Sequence, residues 1–146
     1  MNLLEAAGRI VIPPAVHAEL IGYDLFWDED RPAWIGIEKL TPQSSEMTAR
    51  WLQAGLLDPG EAEALSLAIQ LQADWFLTDD SAARLITLQQ GLEVHGSLGV
   101  VLWAAATGHL DHSAAEGALE ALSGSSLWIS SRILEEARAA LRQIFA

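Results

Sequence analysis

The fold is decided by residues 57–110, which read LDPGEAEALSLAIQLQADWFLTDDSAARLITLQQGLEVHGSLGVVLWAAATGHL. Apolar residues recur at helical spacing after the Asp58-Pro59-Gly60 turn, whereas the later WFLT run is typical of a short buried strand. Asp79-Asp80-Ser81 then predicts a helix cap. The elements predicted in this stretch are a helix over 61–73, strand 75–78, helix 82–90, strand 92–94 and a helix over 96–108.

The same alternation of short strands and helices continues on both sides of this stretch. The predicted elements there are a short helix over 2–7, a buried strand 9–12, a helix beginning at Pro14, a polar and aromatic loop 23–32, an edge strand 34–40, a helix 44–55 capped by Ser44 or Ser45, helices 113–122 and 131–145, and a strand 127–129. This order predicts an α/β fold, with a parallel sheet of short strands flanked by helices on both faces.

Composition limits the functional classes. The chain has 146 residues, no Cys and a formal net charge of −12, which predicts one domain over residues 1–146 and a reducing compartment, the cytoplasm. No stretch is long and apolar enough to span a membrane. The eight basic residues are scattered, which argues against a DNA-binding module and against binding to anionic membranes.

Four carboxylates are candidates for one site. Asp79 and Asp80 follow a predicted strand, where ligands of parallel sheets collect, while Glu61 begins the preceding helix and Glu19 closes an earlier one. Two like charges about 4 Å apart cost roughly 4 kcal/mol at an effective dielectric near 20. Converging carboxylates therefore predict a divalent cation, and oxygen ligands favour Mg²⁺ or Mn²⁺. The structural alternative is that the Asp79-Asp80 pair caps a helix and Glu61 complements a helix dipole.

Several motifs together carry a family resemblance. These are GEAEAL (60–65), LTDD (77–80) with the later Arg84, GSLG (96–99), IVIPPAVHAEL (10–20) and the tail SSLWISSRILEEA (125–137). In this combination the chain resembles the PIN-domain superfamily, and within it a prokaryotic PIN-like subgroup of toxin-type ribonucleases. The resemblance implies a three-layer α/β/α fold.

The resemblance also implies roles for the acidic residues. It predicts a Mg²⁺- or Mn²⁺-dependent ribonuclease that hydrolyses RNA, the toxin of a pair held by a cognate antitoxin protein. Glu61 and Asp79 match acidic metal-site positions, with Asp80 as an adjacent catalytic and metal candidate and Glu19 as a further metal ligand. Arg84 is interpreted either as a phosphate contact or as a salt-bridge partner of Asp80 on the same helix.

One departure from the family pattern is expected to matter. PIN domains begin with a central strand that ends in Asp, whereas the first Asp here is Asp24, after the second predicted helix. Without that strand, neighbouring strands have unpaired edges that invite another chain. Three explanations are open: a start further upstream, a gap filled by a partner or a second copy in a homodimer, or a catalytically degenerate domain. The last is the alternative function, a protein-interaction or dimerisation module.

The acidic loop contains aromatic residues as well as charge. Trp27 and Trp34 flank a run of acids, Asp28, Glu29 and Asp30. Tryptophan stacks on nucleobases, but carboxylates beside it repel phosphate, so a protein interface is the favoured interpretation.

Overall fold

The computed structural model describes residues 2–125 and 127–146, and short strands alternate with helices along them. In this part of the chain the elements are, in order, α1 (Leu3–Ala7), β1 (Ile10–Ile12), α2 (Pro14–Tyr23), α3 (Trp27–Asp30), β2 (Ile35–Ile37), α4 (Pro42–Ala54), α5 (Pro59–Leu71), β3 (Trp75–Leu77), α6 (Ser81–Gln89), β4 (Glu93–His95), α7 (Ser97–Ala106), α8 (His112–Ser123) and α9 (Ser131–Ile144). The predicted α/β order is therefore confirmed.

The chain forms two compact units. One contains Gly8–Val94, and the other contains Met1–Ala7 with His95–Ala146. All the candidate site residues lie in the unit Gly8–Val94.

The strands pair two by two. β1 pairs with β2 in parallel, with Ile10 opposite Ile35 and Ile12 opposite Ile37, and β3 pairs with β4. A parallel pair needs a crossover connection, which here runs through α2 and α3. The prediction that β1 is buried is wrong, because its three residues are only partly buried.

The core of this unit joins α5, β3 and α6. Leu65 and Ala68 of α5 pack with Phe76 of β3 and with Ile86 of α6. The apolar residues at helical spacing after residue 60 predict a buried face over Ala64, Leu65, Ala68, Ile69 and Leu71. Leu65 and Ala68 are buried as predicted, whereas Leu71 is exposed. This packing fixes the start of α5 and the end of β3 relative to each other.

Helix starts follow the capping residues closely. Thr41 caps α4 by accepting from the Ser44 backbone N–H, so the expectation of a cap at Ser44 or Ser45 is wrong. Asp58 caps α5, and Pro59 is the first residue of this helix. Proline suits this position because the backbone N–H that it lacks would have no partner within the helix. Pro59 and Gly60 of the predicted turn therefore already belong to the helix, and Asp58 is its cap.

The segment predicted as a loop over residues 23–32 contains the helical turn α3. His17 of α2 anchors it, since the Trp27 indole Nε1–H donates to His17 Nδ1 at 3.0 Å. The other ring nitrogen, Nε2, lies 3.3 Å from Oδ1 of Asp28. Two contacts from one imidazole thus hold α3 on α2.

The second unit is helical in its described residues. Val101 of α7, Leu119 of α8 and Leu141 of α9 are central members of its core. The strand predicted over residues 127–129 is absent, because the Ile129 N–H donates to the Leu127 carbonyl at 3.1 Å and turns the segment on itself. Throughout residues 2–125 and 127–146, every helix is too short or too polar to cross a membrane.

Candidate functional site

The site is built where α5 begins and β3 ends. Glu61 lies in the first turn of α5, with its backbone N–H donating to Oδ1 of Asp58 at 2.8 Å. Thr78, which follows β3, is only 8% exposed, and its hydroxyl donates to the Glu61 carboxylate, 3.1 Å from one oxygen and 3.2 Å from the other. The Glu61 carboxylate therefore contacts the first residue after β3.

The electrostatic setting of Glu61 is unfavourable to its charge. Burial raises the pKa of Glu61 above its ordinary value of 4.5, and the hydrogen bond from Thr78 opposes that rise. The negative charges of Asp58, Asp80 and Glu19 raise this pKa further. An excess of negative charge therefore surrounds the carboxylate, as the sequence predicted.

Glu19 reaches the site from α2. Its carboxylate lies against Gly60, so closely that a β-carbon at Gly60 would overlap it. The two helices are also joined by Oε1 of Glu63, which accepts from the Ala15 N–H at 3.2 Å. Gly60 therefore allows the acidic side chain of α2 to lie one residue from Glu61.

Asp79 and Asp80 differ in what they contact. Asp80 caps α6, with Oδ1 accepting from the Ala83 N–H at 2.7 Å, and its own N–H donates to the Thr78 hydroxyl at 3.1 Å. The capping interpretation is thus confirmed for Asp80, which still has its second carboxylate oxygen. Asp79 is exposed beside it.

Arg84 lies on α6 close to the same strand end. One of its guanidinium nitrogens, Nη1, is 3.5 Å from the carbonyl oxygen of Thr78, a long hydrogen bond. The side chain therefore reaches the backbone that carries the acidic pair.

The carboxylates do not form a closed metal cage. Within residues 2–125 and 127–146, no group of three or more His, Asp or Glu side chains is placed to hold a metal ion. Mg²⁺, however, keeps several waters and is commonly held by one or two protein carboxylates. The oxygen-only donors and the crowded charge at Glu61 fit such a hard cation, but with fewer protein ligands than the four predicted.

A comparison with known protein families identifies the family of the chain. The family model DUF3368, a PIN domain, matches residues 1–143. The chain belongs to the PIN-domain family. No curated protein and no solved structure matches it. A PIN domain has a nuclease-type fold, generally uses divalent metals, and is a three-layer α/β/α structure with which the short parallel strands and helices here agree.

Two residues beside Glu61 in this PIN domain are not indicated as site residues by the sequence pattern. Thr78 holds Glu61 through its hydroxyl, and Asp58 adds negative charge beside it. The signal for Asp58 was its position before Pro59, which is typical of a helix cap. A threonine at the end of a buried strand carries no such signal, because its partner is 17 residues away.

Proposed function

We propose that this PIN domain is a Mg²⁺- or Mn²⁺-dependent ribonuclease that hydrolyses RNA phosphodiester bonds. One observation carries the proposal: Glu61, in the first turn of α5, is a partly buried carboxylate held by Thr78 at the end of β3, and its pKa is raised by burial and by the charges of Asp58, Asp80 and Glu19. A cation stabilises such a carboxylate. Membership of the PIN-domain family supports a nuclease function that uses the cation.

The residues that would hold the cation are Glu61 and the acids that follow β3. Asp80 acts electrostatically on Glu61 and has one oxygen outside its cap, so it is placed to complete a pair of carboxylates with Glu61, and the exposed Asp79 precedes it. A bound divalent cation lowers the pKa of a coordinated water and orients a phosphodiester for in-line attack.

The remaining residues position these groups. The Thr78 hydroxyl holds the Glu61 carboxylate in place, and the same hydroxyl accepts from the Asp80 N–H. Arg84 supplies a cationic group beside the strand end, where it can contact the phosphate of the RNA.

The test is metal-dependent cleavage of a fluorescently labelled single-stranded RNA by the full chain. We expect Glu61→Gln and Asp79→Asn each to lower the rate roughly 100-fold or more, as loss of several kcal/mol of metal-derived stabilisation does. The matched controls are Glu46→Gln on α4 and Asp74→Asn before β3, both exposed. Cleavage that persists in the site variants, or that needs no divalent cation, contradicts the proposal.

The alternative is a PIN domain that acts as an interaction module without catalysis. The observation that favours it is the lack of a preassembled group of three ligands in residues 2–125 and 127–146. Calorimetric titration with Mn²⁺ separates the two functions. If Mn²⁺ binding releases or absorbs heat with the unmodified chain but not with Asp79→Asn, the nuclease function is supported. If the unmodified chain gives no heat at millimolar Mn²⁺, the interaction module is supported.

We also propose that the protein acts as a toxin, and the support for this role is the sequence resemblance to toxin-type PIN proteins. We expect expression of the chain to arrest bacterial growth, and Glu61→Gln to relieve the arrest at equal protein level. An equal arrest by both proteins would assign the toxicity to something other than cleavage. The cognate antitoxin would then be sought by its ability to relieve the arrest.

A further inference from the structure

The end of α2 carries apolar side chains that face water. Tyr23 is 91% exposed, Leu25 86% and Phe26 62%. These three residues lie where α2 passes into α3, and we call them the α2–α3 apolar face. Aromatic and aliphatic groups grouped in this way typically mark an interaction site on a soluble protein.

Two hydrogen bonds support the segment that carries this face. Oδ1 of Asp24 accepts from the Phe26 N–H at 3.0 Å, and the Trp27 indole donates to His17. A surface that is fixed before binding loses little conformational entropy when a partner docks.

An acidic rim borders the face on its C-terminal side. Asp28, Glu29 and Asp30 make up most of α3, and all three are exposed. Asp28 lies beside His17, but across residues 2–125 and 127–146 the ion pairs include neither Glu29 nor Asp30. At least two charges of the rim are therefore left uncompensated by the fold.

The negative charge of the acidic rim favours some binding partners of the α2–α3 apolar face over others. RNA and anionic membranes are repelled by the rim, and a second copy docking by two-fold symmetry would bring two acidic rims into one interface of a chain with net charge −12. A segment with apolar side chains bordered by Lys or Arg matches both features. We propose that the α2–α3 apolar face docks a basic amphipathic segment of a partner protein, independently of any nuclease activity.

The test uses a fluorescent peptide of leucine and lysine at helical spacing, titrated with the full chain and followed by polarisation. We expect Tyr23→Ser/Phe26→Ser to weaken binding about tenfold or more, since buried aromatic anchors dominate interfaces. Glu29→Gln/Asp30→Asn, which leaves the His17 contacts intact, should weaken it about tenfold at low salt and flatten its salt dependence.

The control is Leu85→Ser/Leu88→Ser on α6, which removes two side chains that are each 60% exposed and should leave the affinity unchanged. A leucine–glutamate peptide of the same spacing should not bind. Equal binding by all variants, or no saturable binding by the unmodified chain, overturns the proposal. Self-association that Tyr23→Ser/Phe26→Ser abolishes, or binding of RNA or anionic vesicles at this face, also overturns it.

Discussion

The hydroxyl of Thr78 donates to the carboxylate of Glu61, within 3.2 Å of both carboxylate oxygens. Thr78 follows β3 and Glu61 begins α5, so one buried hydroxyl joins the two elements at the site. Since the same oxygen accepts from the Asp80 N–H, it also joins the helix that follows the strand. Changes at these residues should therefore alter both stability and the behaviour of the site.

Replacing Glu61 with Gln should stabilise the protein at neutral pH. Because burial raises the pKa of Glu61, this residue contributes stability below pH 4.5, and that contribution is lost as the pH rises through the raised pKa. Gln stays uncharged at every pH, whereas Glu61 becomes charged as the pH rises. The Gln variant should therefore be more stable than the unmodified chain by at most about 1 kcal/mol near pH 7, and this difference should vanish below pH 4.5. Thermal unfolding across pH measures it, with the exposed Glu46→Gln as control. A destabilised Glu61→Gln at neutral pH contradicts this.

Divalent cations should stabilise the unmodified chain. If Glu61 helps to hold the ion, a concentration about one hundredfold above Kd adds roughly 2.7 kcal/mol to folding. The expected result is a higher Tm in Mg²⁺ or Mn²⁺ that EDTA reverses, retained in Asp74→Asn and lost in Glu61→Gln. An equal rise in both variants would mean that the ion binds elsewhere.

Thr78→Val should destabilise the fold by roughly 1–3 kcal/mol, because the buried hydroxyl serves Glu61 and the Asp80 N–H. Loss of the donated hydrogen bond should also raise the pKa of Glu61 further, since that bond lowers it. Denaturant unfolding at several pH values measures both effects. Thr78→Ser keeps the hydroxyl and should restore most of the lost stability. A Val variant as stable as the original would show that the hydroxyl is dispensable.

Gly60→Ala should displace the Glu19 carboxylate rather than disrupt α5, because the group it meets is the end of an exposed, flexible side chain. The helix gains about 1 kcal/mol from alanine, which the displacement offsets. In a Glu19→Ala background the same change should become stabilising, as a double-mutant cycle would record. Gly117→Ala on α8 is the control, since nothing lies within 4 Å of its β-carbon. Identical effects of Gly60→Ala in both backgrounds would exclude coupling to Glu19.

The candidate site was predictable to the extent that it depends on neighbours in the chain. Asp80 caps α6 because its side chain meets an N–H three residues later, a contact that the sequence Asp79-Asp80-Ser81 already indicates. Ser44, in contrast, looked like a helix cap and is instead a buried residue within α4, because Thr41 and Pro42 begin the helix earlier. Where two local signals compete, sequence alone does not rank them.

The sequence by itself determined most of the order of helices and strands, though not the helical turn α3 or the lack of a strand over residues 127–129. It also determined the position of acids at helix starts and the excess of negative charge, since these depend on composition and on residues a few positions apart. Only the tertiary structure decided that Thr78 contacts Glu61 and that Glu19 lies over Gly60. Those contacts arise where α5 packs on β3 and on α2, and such packing is set by the whole core rather than by any local pattern.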